Sequence, residues 1–148
     1  MKKKKYRYLA EAKFDEETGN SYAIINTELG QFLGSAQCSP EDIDYCSKFF
    51  GCGLAELRAN MKYWRLKKTC AKAKYRAIEE AINATHAENS DVPLGLLELK
   101  DQYEAEIETC NDAIDLLFKE INDSISQRDR AVRLDKKRKS KLTKTEIK

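Results

Sequence analysis

Few side chains in this sequence have the type and spacing that covalent chemistry requires. His86 is the only histidine. It stands in a polar stretch, His86-Ala87-Glu88-Asn89-Ser90-Asp91, that reads as a turn, where a lone imidazole is a solvated or helix-capping group. Cys38, Cys46 and Cys52 bracket one short segment, but a thiolate zinc site needs cysteine pairs about two to four residues apart and a further ligand. They read as small buried residues, and Cys70 and Cys110 as core filler close to or on helix seams. Five cysteines is an odd number in no disulfide framework, so reduced thiols in a cytosolic protein are expected. The carboxylates between Glu98 and Asp123 lack the glycine-bearing loop of a calcium site. No nucleophile elbow, phosphate loop or dinucleotide glycine pattern is present. The expectation is a protein that is not an enzyme, with no catalytic, cofactor-binding or metal-ligating residues.

Charge is the chemistry that remains. The 27 basic and 25 acidic residues nearly cancel, but they are segregated. Eight basic residues and no acid lie between Arg58 and Arg76. Glu104, Glu106, Glu108, Asp112, Asp115 and Glu120 lie between residues 104 and 122, against the single Lys119. From Arg128 to Lys148 there are ten basic residues and three acids. Tyr63, Trp64 and Tyr75 interleave with the first basic run, a pattern that also suits a nucleic-acid surface. Lys67, Lys72, Arg133, Lys136, Lys137 and Arg138 are candidate contacts to a partner or to phosphates. Glu104, Glu108 and Asp112 are candidate acidic contacts able to mimic phosphates.

The elements that hold these charges follow from periodicity. Tyr6, Tyr8, Ala10, Ala12 and Phe14 alternate with polar neighbours, as a strand does. Ser21–Thr27 and Phe32–Cys38 read as two more, joined by tight connections around Gly19 and Gly30, which gives an antiparallel meander. Gly34 and Ala36 share a face with Phe32, so something packs closely there. Ser39-Pro40-Glu41-Asp42 is a helix start, with Ser39 as cap and Pro40 in the first turn. The short helix after it, carrying Ile43, Cys46, Phe49 and Phe50, is expected to break at Gly51 and Gly53.

From Leu54 to about His86 a long helix follows. Leu57, Met61, Trp64, Lys68, Ala71, Tyr75, Ile78 and Ile82 recur at three and four, one seam interrupted only by Lys68. After Pro93 a second seam runs through Leu96, Leu99, Tyr103, Ile107, Cys110, Ile114, Leu117 and Ile121. A short connector makes the two helices antiparallel, seam to seam. The basic run of the first then lies beside the acidic run of the second, and opposite charges on facing helices would fix partner and direction. No apolar run approaches the roughly 20 residues of a membrane span.

The fold class expected is α+β: a three-stranded antiparallel sheet with a short helix, then a long antiparallel helical hairpin, a coiled coil. The divisions are residues 1–53, 54–132 and a basic, flexible tail at 133–148, all within one compact unit. Thr27-Glu28-Leu29-Gly30-Gln31-Phe32, Ser39-Pro40-Glu41-Asp42 and Ala55-Glu56-Leu57-Arg58-Ala59 resemble small phage and prophage accessory proteins of Gram-positive bacteria. The resemblance covers residues 21–59 and carries no catalytic motif. It implies an accessory protein in the host cytoplasm that binds a host or defence complex handling nucleic acid, as an anti-defence inhibitor does. Two further readings stand beside it: a direct DNA- or RNA-binding recombination accessory factor, and a self-assembling structural coiled coil.

Overall fold

The computed structural model describes residues 6–38 and 47–147, with side chains through residue 142. Three strands, β1 (Ala10–Phe14), β2 (Ser21–Thr27) and β3 (Gly30–Ala36), precede two helices, α1 (Lys48–Ala87) and α2 (Leu94–Ile147). The strands form an antiparallel sheet in the order β1-β2-β3, with Ile25 opposite Ala10 on one side and Phe32 on the other. Alternation decides its faces: Ser21, Ala23 and Ile25 are buried against α1, while Tyr22 and Ile24 face outward. The α+β architecture read from periodicity is therefore the one observed.

Backbone contact positions the sheet on α1. A Cβ at Gly34 would lie 1.9 Å from the Ala55 carbonyl oxygen and 2.5 Å from the Ala59 amide nitrogen. With Ala55 and Ala59 on the facing helix surface, both fully buried, strand and helix meet without intervening side chains. This is the close packing that Gly34 and Ala36 signal in the sequence. Gly51 works the same way, since a Cβ there would reach 2.2 Å from Ser21 Oγ.

Several boundaries differ from the sequence reading. Gly51 and Gly53 do not break a helix. Both lie inside α1, which begins at Lys48 with Ser47 as its N-cap, the Ser47 hydroxyl accepting from the Phe50 amide at 3.2 Å. Gly51 serves helix–sheet approach, whereas nothing stands within 4 Å of a Cβ at Gly53. Phe49 and Phe50 are thus the first turn of the long helix. The Ser39-Pro40 helix start, Ile43 and Cys46 lie outside the described residues. β1 is shorter than expected, because the Tyr6 and Tyr8 backbones bond to Trp64 and Asn60 of α1, while Arg7 pairs with Glu120 of α2. The basic tail is helical: α2 runs through to Ile147.

The two helices lie antiparallel, α1 spanning 40 residues and α2 spanning 54, or about 60 and 80 Å at 1.5 Å per residue. Leu57, Met61, Trp64, Ala71 and Ile82 on one, with Cys110, Ala113 and Leu117 on the other, are buried along their contact. The connector includes Asn89 at φ 58°, a left-handed conformation that asparagine accepts. Arg128 stands over the Phe50 ring at 5.6 Å, so α2 continues past the start of α1.

Candidate functional site

Aromatic residues fasten the N-terminal segment and the β2–β3 turn to the middle of α1. Trp64 donates its indole N–H to the Tyr6 carbonyl at 2.9 Å. Asn60, fully buried, accepts from the Tyr8 amide at 2.7 Å and donates to the Tyr8 carbonyl at 3.2 Å. Its side chain does for Tyr8 what a neighbouring strand would do. Tyr63 and Tyr8 both donate their hydroxyls to Glu28, Tyr8 at 2.7 Å, and the Lys67 ammonium lies 3.6 Å from the same carboxylate. Hydrogen bonds from Tyr63 and then Tyr8 hold the Glu28 carboxyl down to about 2. Burial pushes the Tyr63 phenol upward, and its bond to Glu28 adds to the rise. The geometry of the cluster is that of a clasp.

The basic run on α1 has varied uses. Arg58 and Lys62 donate to the Ser35 and Leu33 carbonyls at 2.8 and 2.6 Å, covering the free edge of β3 with charged side chains. Lys67 is held by Glu28 and by the Tyr63 and Trp64 rings, 5.6 and 5.2 Å from their centroids, so it is not an open contact residue. Lys74 lies over Tyr103 at 5.6 Å. Arg65, Lys72 and Arg76 are exposed and form no ion pair.

Among the described residues, no ion pair joins α1 to α2. The expected pairing of the two charged runs is corrected here, and helical geometry explains why. At 3.6 residues per turn, Glu104, Glu108, Asp112 and Asp115 fall on the side of α2 about 150° away from its buried seam. All four are exposed, on the far side from α1. Within the tail, Arg138 is paired to Asp135 at 3.0 Å, and Arg133, Lys136 and Lys137 are exposed on α2. The candidate acidic and basic residues therefore stand on separate surfaces, and the structure gathers no common site from them.

No protein-family model, curated protein or solved structure matches the chain.

The cysteine reading needs one correction. Cys38 is disulfide-bonded, whereas Cys52, Cys70 and Cys110 are free; Cys46 lies outside the described residues. Burial raises the Cys110 thiol, which suits an inert core residue. Among the described residues no three His, Cys, Asp or Glu side chains converge as metal ligands, and no helix is long and apolar enough to cross a membrane. Sequence reasoning missed Asn60, Glu28 and Tyr8. Asn60 alone had a signal: a polar residue between Ala59 and Met61 on the apolar side of a helix needs a buried partner.

Proposed function

We propose that this chain is a non-enzymatic accessory protein of phage type. It binds a protein complex of the bacterial host that handles nucleic acid and modulates or inhibits it from within the cytoplasm. The observation that carries this reading is the outward placement of part of each charged run. Arg65, Lys72 and Arg76 on α1 and Glu104, Glu108 and Asp112 on α2 are exposed and without ion-pair partners. A long antiparallel hairpin holds them at fixed spacing, so they are available to a partner without reorganisation. The resemblance of residues 21–59 to phage accessory proteins supplies the setting.

Capture from host lysate tests the proposal when charge reversals accompany it. The wild-type chain is expected to retain a nucleic-acid enzyme or its subunit. Either Lys72→Glu with Arg76→Glu, or Glu108→Lys with Asp112→Lys, is expected to release it without unfolding the chain. Retention by both variants removes the charged surfaces from the argument. Direct binding to nucleic acid is the second reading, favoured by the three unpaired bases on α1 and the basic end of α2. It requires binding of mixed-sequence DNA or RNA at low salt, with affinity falling steeply as salt rises. Absence of binding at low salt excludes it.

A further inference from the structure

The outer face of α2 carries a charge pattern that is complementary to itself. At 3.6 residues per turn, Glu108, Asp112, Asp115, Arg130, Arg133 and Lys137 fall within one arc of about 60°. That arc lies about 160° from the seam formed by Cys110, Leu117 and Ile121, so it looks away from α1. All six side chains are exposed, and none takes part in an ion pair. The three acids lie in the N-terminal half of the stripe and the three bases in its C-terminal half; Lys119, exposed in the same arc, lies near the centre, where its mirror position is Ser126 and no like charge opposes it. Their spacing matches in reverse. Asp115 and Arg130 are equidistant from the Asn122–Asp123 peptide, as are Asp112 and Arg133, and Glu108 and Lys137.

We propose that two copies of the chain pair through this stripe, with their α2 helices antiparallel about a two-fold axis at Asn122–Asp123. Each copy's Asp115, Asp112 and Glu108 then face the other's Arg130, Arg133 and Lys137. A contact of this kind is self-complementary and closes at two copies, the commonest symmetry of soluble oligomers. Parallel pairing in register would instead set acid against acid and base against base. The helix suits the arrangement because it is unbroken through both halves and continues past the start of α1. The bases thereby reach a partner's acids over a contact about 44 Å long at 1.5 Å per residue. Exposed ion pairs are individually weak and screened by salt, so the dimer is one whose dissociation responds to ionic strength.

Sedimentation of nuclease-treated full-length chain tests this. At low ionic strength the mass is expected to approach twice that of one chain as concentration rises, and to return to one chain at about 0.5 M salt, where the screening length is only a few ångströms. Asp112→Lys with Asp115→Lys leaves Glu108 as the only acid of the six, and Arg130→Glu with Arg133→Glu leaves Lys137 as the only base of the six. Each double variant alone is expected to be monomeric with the wild-type circular dichroism spectrum. Mixed one to one, they are expected to re-form a dimer containing both. A wild-type monomer throughout, a dimer indifferent to salt or to the reversals, or variants that stay apart when mixed would each overturn the proposal. So would association that disappears on nuclease treatment, which would assign the stripe to nucleic acid.

Discussion

Replacing Asn60 tests how the N-terminal segment is held. The Asn60 amide is fully buried. It makes both bonds to the Tyr8 backbone and a third to the Glu56 carbonyl at 3.0 Å. Asn60→Leu keeps most of the volume but leaves the Tyr8 N–H and C=O facing an apolar side chain. An unsatisfied buried polar group costs about 1–3 kcal/mol. Tyr8 is only half-buried and water reaches part of it, so the low end applies to each group, giving about 2–3 kcal/mol in all. The Glu56 carbonyl keeps its place in the helix ladder and adds nothing. Urea unfolding followed by circular dichroism is the assay, and the midpoint should fall with little change in slope. Amide exchange at Tyr8 should rise from protected to nearly unprotected, since its amide has lost its acceptor. A Leu variant within about 0.5 kcal/mol of wild type, the range of an ordinary surface substitution, would refute the claim that this amide substitutes for a strand.

Trp64→Ala is expected to cost about 3–5 kcal/mol, because the indole is buried between Tyr6 and Tyr63 and donates to Tyr6; a nearly unchanged melting temperature would place Trp64 outside the core. Gly34→Ala puts a methyl group into the Ala55 carbonyl, and loss of the cooperative thermal transition is expected, or a melting point lowered more than by any surface alanine. Glu28 gives an acid signature: its carboxyl is held down to about 2 from 4.5, so its contribution is present above pH 4.5 and is lost as pH falls towards 2. In Glu28→Gln, thermal melts between pH 5 and pH 2 should show a shallower acid limb than wild type. Thiol titration of unreduced, denatured chain should detect Cys52, Cys70 and Cys110 but not Cys38, and the count should rise to five after reduction, the full cysteine count.

The parts of the fold legible in the sequence are those in which one period governs a long run. The heptad seam from Leu57 to Ile82 reads directly because its members share one face of the helix. The β2 alternation reads because the sheet has one covered face. Gly34 is legible because a glycine between Phe32 and Ala36 on one strand face implies backbone contact. Gly51 was not, because a glycine inside a helix looks the same whether it ends the helix or admits Ser21. The Glu28 clasp was invisible for another reason: its members come from the N-terminal segment, a turn and α1, and no sequence spacing relates them. The helix of the tail is hard to read because its dense like charge argues for disorder, whereas Asp135 ties Arg138 and Lys139 at one-turn spacing, at 3.0 and 3.3 Å. Such pairs support an exposed helix by about 0.2–0.5 kcal/mol each.

The misread charge pairing has the widest consequence. Opposite net charge on two packed helices need not mean that the helices neutralise one another, because packing is set by the seam and charge by the remaining circumference. In α2 the apolar seam through Cys110, Leu117 and Ile121 fixes which side meets α1, and the stripe through Glu108 and Asp112 then has to face water. The same rotation carries Arg133 and Lys137 to that outer side. Direct coupling between α1 and α2 is instead aromatic, with Lys74 over Tyr103 and Lys100 over Tyr75 at 5.6 and 5.9 Å. Those contacts use a single cation each and need no acid. The acids of α2 are thereby left to another molecule, and an unbroken helix with acids towards one end of a face and bases towards the other is most simply satisfied by its own copy in reverse.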